Sequence, residues 1–131
     1  MRKMISFAVF ALLATSLSAQ TVANMKDLNA EKKSAAINLK LTGTLTTTRN
    51  SDFRQLRDLC WQLRTLDLSE ATCPILPKNA FHSRHHLQSI ILPNQLQEIG
   101  SQAFFACDNL QEVVIPKSVT KVGAAAFSGC K

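Results

Sequence analysis

Apolar residues recur in the second half of this chain at a spacing that no single strand or helix explains. Leu87, Ile90 and Leu92 form one apolar set and are stopped by Pro93. Leu96 and Ile99 follow, then Gly100, Ala103, Phe104 and Cys107. The same order returns at Leu110, Val113, Ile115, Pro116, Val119, Val122, Gly123, Ala126, Phe127 and Cys130, each 23 positions further on. A looser copy precedes them, with Leu63, Leu66, Leu68, Pro77, Ala80 and Phe81. Phe81 lies 23 before Phe104 but Leu63 lies 24 before Leu87, which places a one-residue insertion near Ser69–Cys73. A fixed period of this length marks a stacked repeat, whose coils bury their apolar faces only against one another.

Each copy reads as one coil. The Leu87–Leu92 set leads into a strand, and proline ends it because it has no N–H for a ladder. Gly100 and Gly123 are expected to permit a backbone turn that a Cβ resists. Gln102–Ala106 and Ala124–Phe127 read as short helical turns. Stacking such coils aligns the strands as a parallel sheet and Phe81, Phe104 and Phe127 as a spine, whereas Phe105 aligns with His82 and Ser128 at a variable position.

Upstream, residues 24–36 carry Asp27, Glu31, Lys32 and Lys33 among helix formers, and predict a short amphipathic helix covering the N-terminal end of the stack. Ile37–Leu41 alternates as a strand. Gly43 and Thr46–Thr48 lead into a loop. Ser51 suits an N-cap, and Phe53, Leu56, Leu59, Cys60 and Leu63 follow at helical spacing, a helix of about three turns. Trp61 and Leu59 widen its apolar face, so Trp61 is expected to pack at the core or its edge. Leu66-Asp67-Leu68 is the next strand.

The first residues form a separate unit. Met1-Arg2-Lys3 is followed by an almost uncharged apolar run from Met4 to Leu17. This pattern reads as a secretory signal over residues 1–19, cleaved after Ala19 or Ala23, and is short for a membrane span. No Cys stands near the cleavage region, which argues against lipid modification there. Of 131 residues, 46% are hydrophobic and 18% charged, a balance of one ordered domain. Loss of Arg2 and Lys3 from the 15 basic side chains leaves 13 against 9 acidic ones, a net charge of +4. That excess is dispersed, with no basic stripe interleaved with aromatics, so a nucleic-acid partner is not expected.

Four cysteines in an exported chain invite a disulfide reading. Cys107 and Cys130 occupy equivalent positions beside the Ala-Phe pair, which favours buried free thiols, with a bridge between neighbouring coils as the alternative. A Cys60–Cys73 bridge is open as well. His82-x-x-His85-His86 is the cluster with zinc-ligand chemistry, but it falls at variable positions between coils, and no metal or cofactor is expected. The chain has no G-x-S-x-G elbow, P-loop or H-E-x-x-H string, so no catalytic residue is assigned. Lys117, Lys121 and Lys131 read as ordinary solvated positions rather than a patch for an acidic partner.

The L-x-x-[IV]-x-[LI]-P strand, the Ser118–Gly123 string and the A-F-x-x-C ending at Cys107 and Cys130 resemble the BspA-like leucine-rich repeat family of bacterial surface proteins. Leu39–Gly43 and Leu66–Ser69 look like the N-terminal part of such proteins. The resemblance covers residues 37–131, with regular copies from about Leu63. It implies an α/β repeat fold: a leucine-rich-repeat solenoid with a short parallel sheet, preceded here by the N-terminal cap over residues 20–36. It also implies a secreted or cell-surface location and a non-enzymatic role in adhesion or protein binding, with a protein or glycan partner such as host matrix. The strand positions expected to be exposed to a partner are Arg64, Thr65, Asp67, Gln88, Ser89, Ile91, Gln111, Glu112 and Val114. The last coil runs to Lys131 without a capping element, which raises self-association or extension of a longer array as the alternative role.

Overall fold

The computed structural model describes residues 21–47 and 51–131. The expected signal over residues 1–19 and Thr48 of the Thr-rich loop lie outside the described residues. The chain winds as a solenoid with two parallel sheets. The larger one, sheet A, has the order β1-β2-β3-β5-β7, formed by Thr21–Asn24, Asn38–Thr44, Thr65–Thr72, Ser89–Ile91 and Glu112–Val114. Sheet B has the order β4-β6-β8, formed by Ile75–Leu76, Glu98–Ile99 and Lys121–Val122. Register across sheet A aligns Leu39 with Leu66, Leu66 with Ile90, and Ile90 with Val113, one continuous apolar row facing the core. The extra residue expected near Ser69–Cys73 is visible in the pairing. Asp67 pairs with Ile91, 24 positions on, whereas Ile75 pairs with Glu98, 23 on.

The N-terminal region departs from the continuous helix expected over residues 24–36. Strand β1 is followed by a 3-10 turn at Met25–Asp27 and then by a helix, α1, confined to Ala30–Ala35. Two asparagines divide the segment. Asn24 Oδ1 accepts the Lys26 N–H and Asn29 Oδ1 accepts the Lys32 N–H at 2.8 Å, each satisfying an amide that starts a new turn. Buried Met25 and extended, buried Leu28 tie the segment to the core. The second helix, α2, spans Asp52–Asp58 and is shorter than the expected three turns. Ser51 caps it as expected, its Oγ accepting the Arg54 N–H at 3.1 Å. Beyond Asp58 the chain turns so that Cys60 and Leu63 are buried, and Trp61 is left 53% exposed instead of packing into the core.

The segments expected as helical turns are chains of β-turns. Ala80, His82 and Arg84 donate within the coil to the carbonyls of Pro77, Asn79 and Phe81. The alternate amides of Asn79, Phe81 and Ser83 donate across to Ser101, Ala103 and Phe105 of the next coil, and Gln102, Phe104 and Ala106 do the same to Ala124, Ala126 and Ser128. A helix directs every N–H along one axis and cannot make this alternation. Left-handed residues make it: Asn79, Gln102 and Ala125 form one set (φ 60°, 55° and 55°), and Ser83, Ala106 and Gly129 another. Gly100 and Gly123 are not left-handed, so their role differs from the turn expected of them. A Cβ on Gly100 would lie 2.6 Å from the Leu76 carbonyl oxygen and 2.7 Å from the Pro77 carbonyl carbon, and one on Gly123 would meet the Gly100–Ser101 backbone. These glycines let adjacent coils touch.

Phe81, Phe104 and Phe127 stack as expected, with ring centroids 5.5 and 5.2 Å apart and planes within 15° and 8°. Phe53 of α2 heads the spine edge-on. None of the four cysteines is joined in a disulfide. Cys60, Cys73 and Cys107 are buried and Cys130 is half-buried.

Candidate binding face

Side chains alternate across a strand, so the neighbours of the buried Leu39-Leu66-Ile90-Val113 row point out of sheet A. They form two further rows, Asn38-Thr65-Ser89-Glu112 and Lys40-Asp67-Ile91-Val114. A third row runs along the strand entrances, where Gln88 donates its backbone N–H to the Arg64 carbonyl and Gln111 donates to Gln88. Six of the nine expected face residues thus lie in the two outward rows, and Arg64, Gln88 and Gln111 run beside them at the strand entrances.

Burial divides this grid of rows. Arg64 and Gln111 are exposed, and Gln88, Glu112 and Val114 are half-buried. Thr65, Asp67, Ser89 and Ile91 are buried, contrary to the exposure expected of them, with Asp67 at 4% and Ile91 at 5%. Each is flanked on both sides by register partners of adjacent strands, and local bonds occupy Thr65 and Asp67. Thr65 Oγ1 donates to Asn38 Oδ1 at 2.7 Å. Asp67 Oδ1 accepts the Ser69 N–H at 2.8 Å while Lys40 Nζ lies 3.8 Å from Oδ2 and 3.3 Å from Glu70. A strand pattern shows which face a residue occupies but not how far its neighbours close over it. The accessible part of the grid is therefore the Arg64-Gln88-Gln111 row with Glu112 and Val114.

The corner preceding sheet A carries the histidines. His82 stacks on Phe105 at 5.0 Å, and His85 Nδ1 meets Asp108 Oδ1 at 2.5 Å. The His85 hydrogen bond holds the Asp108 carboxyl below the usual range. Ser83 Oγ meets His82 Nδ1 at 2.8 Å, but the carboxylate pairs with a different imidazole, so hydroxyl, imidazole and carboxylate form no relay. Among the described residues no group of three His, Cys, Asp or Glu side chains is placed to hold a metal. Trp61 stands over His86 with ring centroids 6.3 Å apart. Lys117, Lys121 and Lys131 are exposed, and Lys121 pairs with Glu98 at 3.5 Å.

The thiols serve packing. Cys107 Sγ–H donates to the Phe81 carbonyl at 2.9 Å and Cys130 Sγ–H to the Phe104 carbonyl at 3.1 Å, a ladder between coils. Burial pushes Cys107 up to about 12 and Cys60 up to about 11, and it raises Cys73. Such thiols are poor nucleophiles at neutral pH.

One cluster had no clear signal in the sequence. Asp58 takes Arg57 Nε at 2.9 Å and Arg54 Nε at 3.6 Å, Arg57 Nη1 reaches the Asn79 carbonyl at 3.3 Å, and Arg84 Nη1 donates to the Arg57 carbonyl. Arg54 and Asp58 show the helical i,i+4 spacing, whereas Arg84 enters only through the winding of the coil.

No protein among curated sequences matches this chain. A solved leucine-rich repeat protein from Bacteroides ovatus is similar at 19% identity with a TM-score of 0.43, over 87% of this chain and 35% of that one. The chain thus spans about a third of that protein's length. The family described as BspA type leucine rich repeat region (6 copies) matches residues 18–131. With every described residue of the solenoid inside that match, the chain belongs to the BspA-type leucine-rich repeat family.

Proposed function

We propose that this chain is a non-enzymatic binding module, secreted or held at the cell surface, whose sheet A face contacts a protein or glycan such as a host matrix component. The supporting observation is the division of labour in the strands. Leu66, Ile90 and Val113 carry the core while Arg64, Gln88, Gln111, Glu112 and Val114 carry none of it, so the accessible row can vary without cost to the fold. The charged start and apolar run of residues 1–17 support export. Among the described residues no helix is long and apolar enough to cross a membrane. In this reading residues 20–36 serve as the N-terminal cap of a stack with a period of about 23 residues. The test is retention of the chain lacking residues 1–19 on immobilised matrix proteins and a glycan array. An Arg64→Glu/Gln111→Arg variant should lose the retained partner, and equal retention of both proteins would remove this face from consideration.

A second role, self-association or extension of an array through the last coil, is supported by its edge. Val122 is 43% exposed where its neighbour in register, Ile99, is fully buried. Sedimentation at micromolar concentration distinguishes the two readings. A stable monomer removes self-association.

A further inference from the structure

Three β-turns stack at the corner where the coils enter sheet A. Leu63, Leu87 and Leu110 donate their N–H groups to the carbonyls of Cys60, Arg84 and Cys107 at 3.2, 3.3 and 3.1 Å. The turn tips are Trp61-Gln62, His85-His86 and Asp108-Asn109. Arg64, Gln88 and Gln111, the accessible entrance row, directly follow the closing leucines. Two extended residues span at most about 7 Å and neighbouring strands lie about 4.8 Å apart, so tips and entrance row make one continuous surface. Across its first two coils the Trp61 indole and the His86 ring meet with centroids 6.3 Å apart. Some tip groups are already engaged: His85 and Asp108 bond to each other, and Asn109 and Gln62 donate to the His85 and Ser34 carbonyls. By contrast, the Trp61 indole N–H, the His86 imidazole nitrogens and the side-chain polar groups of Arg64, Gln88 and Gln111 have no hydrogen-bond or ion-pair partner among the described residues. Trp61, Arg64, His86 and Gln111 are exposed.

Of the large apolar side chains exposed among the described residues, Leu59, Trp61, Ile75 and Val122, only Trp61 lies in these two rows. A protein interface seats a cluster of such anchors over about 800 Å2 per partner, which one indole does not supply. A pyranose ring asks for less. Its weakly positive C–H face lies on the negative face of an indole, and its hydroxyls donate to and accept from amides and imidazole. Charge narrows the class further. The unpaired Arg64 guanidinium is a fork for a carboxylate, while Asp108 is held by His85 and Glu112 stands two strands away on β7. We propose that this corner binds a glycan bearing a carboxylated sugar, its ring on Trp61, its carboxylate on Arg64 and neighbouring hydroxyls on His86 and Gln88. The inference rests on the binding-module reading, selects glycan over protein as the partner, and extends the binding face from sheet A onto the turns.

Trp61 is the only tryptophan of the chain and there is no tyrosine, so its emission reports the corner directly. The full chain lacking residues 1–19 is titrated at constant ionic strength with a hyaluronan tetrasaccharide, which alternates glucuronate and N-acetylglucosamine. N-acetylchitotetraose is the uncharged counterpart and tetraglutamate the acidic peptide. The hyaluronan fragment should shift Trp61 emission saturably, with affinity about tenfold above that of either other probe. Arg64→Gln, followed by emission, and Trp61→Ala, followed by the amide shifts of His86 and Gln88, should each weaken binding about tenfold. Both positions are exposed, so the thermal midpoint should not move. A titration that never saturates, equal affinity for the uncharged tetrasaccharide or for tetraglutamate, or full affinity in Arg64→Gln overturns the proposal. An equal loss in Lys121→Gln, a charge outside the corner, overturns it as well. A matrix protein retained through Arg64 and Gln111 without any tetrasaccharide response overturns this inference alone and leaves the binding-module reading standing.

Discussion

Phe53 meets Phe81 edge-on, with ring centroids 5.9 Å apart and planes at 82°, whereas every later pair in the spine is stacked face to face. A perpendicular ring ends a stack: the pair sets the positive rim of one ring against the negative face of the other and continues no parallel column. Helix α2 thereby closes the aromatic spine at its N-terminal end. A double-mutant cycle of Phe53→Leu and Phe81→Leu, measured by urea denaturation, should show a coupling of about 1 kcal/mol. Additive losses would mean the two rings only fill space.

Phe104 lies fully buried between two parallel rings, while Phe105 is half-buried and stacks only on His82. Phe104→Ala should cost roughly 3–5 kcal/mol, and Phe105→Ala about 1 kcal/mol. Equal drops in the urea midpoint would contradict the assigned register.

The coil contacts set opposite rules for glycine at neighbouring positions. Gly100→Ala drives a Cβ into the backbone of the coil before it and should destabilise by more than about 2 kcal/mol. Ala125 is an exposed, left-handed residue at φ 55°, so Ala125→Gly should raise stability by about 0.5–1 kcal/mol. Thermal unfolding of the two variants checks the signs. A stabilising Gly100→Ala would show that the coils can move apart.

Buried thiols make the fold sensitive to alkali. The unfolded chain ionises Cys60 and Cys107 near pH 9, but the folded chain keeps them protonated to about pH 11 and 12. Their contribution is complete below pH 9 and is lost as pH rises from there. The urea midpoint should fall over that window, and Cys107→Ala should flatten part of the fall. At pH 8 a thiol reagent should modify half-buried Cys130 first and the other three only on unfolding.

Asp58 provides the acid counterpart. Its folded carboxyl is depressed by Arg57, so its contribution is present above the ordinary value of 3.8 and is lost as pH falls below it. In Asp58→Asn the thermal midpoint should drop less between pH 4 and about pH 2.5 than in the parent chain. Identical acid limbs would show that solvent screens the Arg57–Asp58 pair fully.

Sequence by itself determined that the chain is a stack of coils and which residues face its core. A repeat can bury its apolar set only against the next copy, so the periodic positions Leu87, Phe104 and Cys107 must point inward. It also placed the inserted residue near Ser69–Cys73 and the face grid from Arg64 to Val114. Only the tertiary structure decided how neighbours close over that grid, burying Asp67 and Ile91 while Arg64 and Gln111 stay open. It alone showed that Gly100 is needed for coil-to-coil contact, that α2 stops at Asp58 and turns Trp61 outward, and that Arg84 joins Arg54 and Arg57 at α2. The reason is physical. Periodicity encodes which side of its own backbone a residue occupies, whereas exposure, close approach and charge clustering depend on segments that meet only when the chain has wound.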